Sequence, residues 1–360
     1  VRMPKKADPL PKDQVALIRK WVEQGALCDA EDPTALLASI VPRAPHPKPP
    51  ENYPRPIPIT AAAFRPDGKD LAVGGYHEIT FWNPEDGTLA RRIGDVAERT
   101  HGLAYNKDGS LLAVASGTPG QLGEIRLVDP IAGKLIRRLA TTSDAAFDVA
   151  FSPDGSKLAA CSADRAVRIF TVASGEETLV IEDHADWVLG VAWSPDGKLI
   201  ATASRDKTSK VFDAESGESQ ITYAGHTGPV FSVGWKADGK QLFTGGADKK
   251  IHFWNPTDGK KTAEISGFGG TIFALRAEGD QLFSCSADKT VRLHAVEKRN
   301  QIRSLAGHAD WVYSLSYCPS TKRIASGGHD GEIRVWNAED GKELAKFFAA
   351  PGYVPQKQPK

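Results

Sequence analysis

The chain has 360 residues, 41% apolar and 25% charged, with 34 Gly and 24 Pro, which is enough apolar material for a sizeable folded core. Lys plus Arg equals Asp plus Glu at 45 each, so charge gives no reason to expect DNA, RNA or an anionic membrane as partner. No apolar run approaches the ~18 residues of a membrane span, and four Cys without a CxxC or CxxCH give no disulfide framework, zinc site or covalent haem attachment.

Residues 1–41 differ in character from the rest of the chain. Val1, not Met, comes first, so the sequence reads as a fragment or a processed product. Pro11 suits a first helical turn, Val15, Ile18, Trp21 and Val22 form one apolar stripe, and Gly25 fits the stop. One such helix cannot build its own core. The words MPKKADPLPKDQVALIRKWVEQGA are similar to the end of a c-type cytochrome domain of the planctomycete type. That resemblance implies Met3, the only Met, as axial thioether ligand of a haem c carried by an upstream domain. It further implies electron transfer by that domain and a periplasmic or otherwise extracytoplasmic location; without the resemblance a cytoplasmic one is expected. Residues 42–58 then hold eight prolines, and 42–56 are expected to act as a semi-rigid spacer of polyproline II character.

From residue 57 to 349 the chain repeats itself. The turn tetrapeptides RPDG, NKDG, SPDG, SPDG and KADG end at Gly68, Gly109, Gly155, Gly197 and Gly239, at steps of 41, 46, 42 and 42 residues. Degenerate copies continue near Gly279 and Thr321. A second marker keeps the same phase: WN, VD, FT, FD, WN, HA and WN begin at 82, 128, 170, 212, 254, 294 and 336. Within a copy, WVLGVAW alternates with a period of two, the signature of a strand, and SPDG is hairpin chemistry. KLIATAS, TSKVFD and SQITYAG supply three more strands. Four antiparallel strands per ~42 residues, seven times over, predict an all-β, seven-bladed propeller. Cys161 and Cys285, at neighbouring positions of two copies, read as small buried strand residues. Residues 350–360 are a tail.

These words resemble the WD-repeat family, whose pattern is GH, strand, SPDG, strand, S-x-D, strand, WD. The resemblance implies a buried polar chain in each well-formed blade: His226, Thr244, Asp248 and Trp254 in the fifth, and His308, Ser326, Asp330 and Trp336 in the seventh. Trp donates to the hydroxyl, the hydroxyl to His, and His to Asp. A His near Ser and Asp superficially suggests a catalytic triad, but a unique active site would not recur at blade spacing, so these residues are read as structural. The fourth blade has His184, Thr202 and Asp206 but Phe212; the third has Asp164 without His; the sixth has His294 where Trp would stand. The first two blades keep little beyond Trp82 and are expected to rely on apolar packing.

Partners of this family usually dock on the face formed by the loops before the first strand and the turns between the second and third. Here those positions include Asp186, Trp187, Arg205, Asp310, Trp311 and His329, with HADW occurring twice. The longer second copy carries its excess in residues 116–124, expected to project from the same face. With no catalytic constellation in view, the expected function is a non-catalytic, monomeric scaffold that binds a protein partner and carries no cofactor within this chain. The competing expectation is an enzyme using the central channel with a metal or quinone cofactor; mostly Ala, Val, Gly and Ser at first-strand positions speak against it.

Overall fold

A computed structural model describes residues 45–354, together with Val15, Ala16, Arg19 and Lys20, which are helical. The chain divides into two compact units, 1–45 and 46–360. Met3, Ile18, Trp21, Val22 and the cytochrome-like words around them lie outside the described residues. No helix among the described residues is long and apolar enough to cross a membrane.

Twenty-eight strands form seven four-stranded antiparallel sheets, each built from four consecutive strands. The predicted seven-bladed propeller is therefore present, with blades at 62–93, 99–142, 146–181, 188–223, 230–265, 272–306 and 312–348. The hairpins turn at the expected tetrapeptides: Gly197 has φ 72°, which costs glycine no Cβ clash, and the degenerate copies reach the same region with Gly279 and Lys322.

The apolar core is not one mass but seven. Each buried cluster joins two neighbouring blades, as when Cys161, Val167 and Ile169 of blade 3 meet Val191, Trp193 and Phe212 of blade 4. The cluster that closes the ring packs Phe64, Leu71 and Trp82 of blade 1 against Cys318, Ala325 and Val335 of blade 7. No strand is shared across this seam, since blades 1 and 7 each pair only their own four strands. The seam is pinned by Ile59 N–H donating to Gly328 O (3.0 Å) and Phe64 N–H to Ser316 Oγ (2.9 Å). Cys161, Cys285 and Cys318 are buried free thiols in such clusters.

Three local features differ from the sequence reading. The proline-rich segment from residue 46 onward lies on the blades: Tyr53 is buried, donates to Glu78 (2.6 Å) and binds Pro351 O through its amide (2.8 Å). The excess of blade 2 is not a projecting loop. Its second and third strands run to Thr118 and start again at Leu122, so the extra residues lengthen the ladder. Gly123 permits this, because a Cβ there would strike the carbonyl oxygen of Asp144. Blades 1 and 2 also do not rely on apolar packing alone. Glu78 is held by Arg92 (2.6 Å), and Glu124 by Arg126 (2.6 Å), Arg138 (3.0 Å) and His46 (2.8 Å). Buried carboxylates need such partners, since an unpaired charge is costly away from water.

Candidate interaction surface on the loop face

The side chains that reach the loop face are set by bulges in the inner strands. In blades 2 to 7 the ladder between the first and second strands slips by one residue, skipping His101, Phe147, Leu189, Phe231, Phe273 and Tyr313 in turn. A bulged residue leaves the ladder and is re-aimed. Here all six are half-buried, and together with Thr60 of blade 1 they ring the axis. Ring centroids stand 5.4 Å apart for His101–Phe147, 5.4 Å for Phe231–Phe273 and 4.8 Å for Phe273–Tyr313. The result is an aromatic collar around a cup of about 400 Å³, also lined by Trp187, Arg205 and Pro229.

The residues expected on this face extend the collar outward. Trp187 and Trp311 are 37% and 47% exposed, which is unusual for the largest apolar side chain. Trp187 stands 5.5 Å from Phe147, and Trp311 stands 6.3 Å from Phe273. Both HADW words fold alike. Asp186 and Asp310 each accept the amide of the following Trp at 2.8 Å. Asp186 pairs with Arg205 (3.2 Å), whose guanidinium lies 4.4 Å from the Trp187 ring centroid. Asp310 pairs with His329 (2.8 Å), which leans on Trp311 at 6.2 Å. The Trp311 amide and His329 hold the Asp310 carboxyl below its usual range. Sequence reasoning placed these six residues but missed the collar beneath them. Its signal was one aromatic or large residue four before the Tyr, Phe, Trp or Ala at or next to the end of the first strand in blades 2 to 7; strict alternation hid it.

The buried polar chains sit inside the blades and anchor the same loops. In blade 4, His184 Nδ1 donates to Asp206 (2.8 Å) and Nε2 accepts from Thr202 (2.7 Å). Burial alone would raise the Asp206 pKa, but the His184 and Thr208 hydrogen bonds outweigh it and hold the carboxyl well below its ordinary range. Blade 5 repeats this with His226, Asp248 (2.7 Å) and Thr244 (2.8 Å). The expected fourth member is missing there: Trp254 Nε1 has no partner, because the indole lies flat against Tyr223 (4.8 Å, 6°). Tyr223 itself bonds His252 Nδ1 (2.8 Å), which stacks on His226 at 4.0 Å. Blade 7 fails at the other end. Trp336 donates to Ser326 (3.0 Å) and Ser326 meets His308 Nε2 (2.8 Å), but His308 Nδ1 is unpaired. Asp330 instead accepts the Glu332 amide (3.0 Å), and burial pushes His308 down to about 4.

In blades 3 and 6 an arginine replaces the missing histidine: Arg168 and Arg292 bind Asp164 and Asp288 at 2.7 Å. They belong to a series two residues before the third-strand marker, with Arg126, Lys210, His252 and Arg334, which sequence reasoning overlooked. The His/carboxylate groups His226–Asp248–His252 and His308–Asp330–Glu332 lie within blades 5 and 7, not on the axis.

Four segments, residues 133–171, 175–213, 217–255 and 299–337, match the family described as WD domain, G-beta repeat. Each begins beside the fourth strand of one blade and ends with the third strand of the next, so the sequence repeat is offset from the sheet by one strand. Among similar proteins, DDB1- and CUL4-associated factor 10 of Danio rerio is 36% identical over 80 residues, 21% of this chain and 16% of that protein. The Homo sapiens protein of the same name is 34% identical over 80 residues, 21% of this chain and 14% of its own length. Eukaryotic translation initiation factor 3 subunit I of Schizosaccharomyces pombe is 29% identical over 70 residues, 19% of this chain and 21% of its own. The match thus spans about a fifth or less of these relatives' length.

Proposed function

From WD repeats that build a seven-bladed propeller, we propose that this chain is a non-catalytic scaffold, acting as a monomer, whose protein partner docks on the loop face over the aromatic collar. The observation that carries this reading is the continuity of exposed Trp187 and Trp311 with the half-buried Phe147, Phe273 and Tyr313. Large aromatic side chains on a rigid frame give contact area at little entropic cost, and interface hot spots are built from such residues with Arg. The names of the relatives, associated factors and a subunit, describe proteins that work in assemblies. That class supports the reading; their particular partners are not carried over. The channel-enzyme reading finds less support, because the His/carboxylate groupings sit inside blades.

The test is affinity capture from the source organism with Trp311→Ala/Phe273→Ala, against a control altered at Ile131, an exposed residue in an outer turn of blade 2. Proteins held by the wild type and the control should be lost by the double variant. Undiminished capture by that variant would remove the loop face from consideration.

For the region before the propeller we infer a fusion to a c-type cytochrome domain outside the cytoplasm, with Met3 toward its haem. The support is the sequence words ending in W-x-x-x-G-A and the single Met. A reduced-minus-oxidised spectrum of the product of the whole gene checks it: absence of haem bands refutes the fusion.

A further inference from the structure

Below the collar the channel is walled by small residues, with two exceptions. At the level after the bulge every blade carries Ala, Gly or Ser except blade 3, which has Asp148. Two residues further along, every blade again carries Ala, Gly or Ser except blade 6, which has Arg276. Both side chains line a throat of about 100 Å³ and also the wide mouth of about 680 Å³ at the end opposite the collar.

The two charges do not neutralise each other by contact. Asp148 accepts the amides of Val149 (2.9 Å) and Val191 (3.2 Å), the second belonging to the next blade. Burial raises its pKa, and the charge of Arg276 works against that rise. Arg276 is exposed to the channel and makes no ion pair among the described residues; NH1 donates only to the carbonyl of its neighbour Leu275 (3.2 Å). Two further residues, Ser314 and His101, line the same throat. Their unpaired atoms, Ser314 Oγ and His101 Nε2, are buried behind its wall, and burial pushes the His101 ring down to about 4 and so leaves it neutral. An isolated carboxylate and an isolated guanidinium on the wall of one cavity offer a ligand one site for each sign of charge.

We propose that this throat binds a small zwitterion of the α-amino acid pattern, its carboxylate on Arg276 and its ammonium on Asp148. A guanidinium matches a carboxylate with two parallel hydrogen bonds, and a desolvated carboxylate is best met by a cation. A simple anion or a simple cation would pair only one of the two side chains, whereas a zwitterion pairs both. Any side chain of the ligand extends into the wide mouth. The throat lies directly beneath the collar and shares Phe147, Phe273 and Tyr313 with it, but Asp148 and Arg276 line only the channel, so Arg276→Gln tests ligand binding without altering the face proposed for protein capture.

Isothermal titration calorimetry on the full chain, with glycine, L-serine, acetate and ethylamine in turn, tests this. The amino acids should bind, and acetate and ethylamine should bind more weakly. Arg276→Gln and Asp148→Asn should each weaken amino-acid binding by roughly tenfold or more, the scale of one charge-assisted pair. Asp148 also pins Val191, so Asp148→Asn is read only alongside an unchanged melting curve; Arg276→Gln removes no inter-blade bond and keeps the test decisive. Three results overturn the proposal: no heat from any amino acid, acetate binding as tightly as glycine, or wild-type affinity in Arg276→Gln.

Discussion

Replacing Asp206 or Asp330 with Ala separates two networks that the repeat pattern makes look equivalent. Asp206 accepts four hydrogen bonds, from His184 Nδ1 (2.8 Å), Thr208 Oγ1 (2.6 Å), Thr208 N (2.9 Å) and Ala185 N (3.1 Å). Its loss orphans the buried His184 donor at about 2 kcal/mol and the two partly exposed amides at roughly 0.5–1 kcal/mol each, while the Thr208 hydroxyl rotates to water, about 3–4 kcal/mol in all. Asp330 accepts only the Glu332 amide (3.0 Å), so its loss should cost about 1 kcal/mol. At ~2.1 cal/mol/K per residue over ~300 residues, each kcal/mol lowers Tm by roughly 1.6 °C, giving about 5–6 °C for Asp206→Ala and under about 2 °C for Asp330→Ala. Differential scanning calorimetry of the two variants reads this directly. Equal shifts, or a larger loss in Asp330→Ala, would refute the claim that bonding, and not repeat position, sets the cost.

The two marker tryptophans differ in the same way. Trp254→Phe and Trp336→Phe remove the same indole volume, but only Trp336 donates a hydrogen bond, to Ser326 at 3.0 Å. Trp336→Phe should therefore cost about 1 kcal/mol more in chemical denaturation, and equal losses would contradict the orphaned Trp254 nitrogen. Acid should also destabilise the propeller. Burial holds His101, His252, His294 and His308 at about 4. In the unfolded chain they titrate near ~6.5, so the unfolded state takes up protons first. Their contribution is full above ~6.5 and is lost as pH falls toward 4. Asp206, held low, adds a loss of the same sign below its unfolded value of ~3.9. Tm should fall steadily from pH 7 to pH 4.5, and His294→Gln should flatten the slope; a level profile in the wild type would disprove the burial argument.

How legible each part was depends on the range of the physics behind it. Turns such as SPDG at Gly197 and alternation along WVLGVAW are local, and their sevenfold recurrence states the number of blades without any contact being known. Positions relative to those turns are local too, which is why Asp186, Trp187, Arg205, Asp310, Trp311 and His329 could be assigned to one face. Pairing inside the blades was legible only in part. His184 and His226 find Asp206 and Asp248 as the repeat suggests, whereas Tyr223 captures the Trp254 ring and Glu332 occupies Asp330.

What the sequence by itself determined, then, was the count of sheets, their internal order and the face on which the loops gather, because each of these rests on short-range backbone preferences repeated at a constant step. Only the tertiary structure decided which side chains meet around the axis. The slip of one residue at His101, Phe147, Leu189, Phe231, Phe273 and Tyr313 turns six side chains out of the alternating pattern and into a collar. Closure then brings Asp148 of blade 3 and Arg276 of blade 6 to the walls of one throat. Neither can be read from periodicity, since a bulge is set by how a strand packs on its neighbours, and a channel exists only when seven apolar interfaces, the last between Phe64 and Cys318, complete the circle.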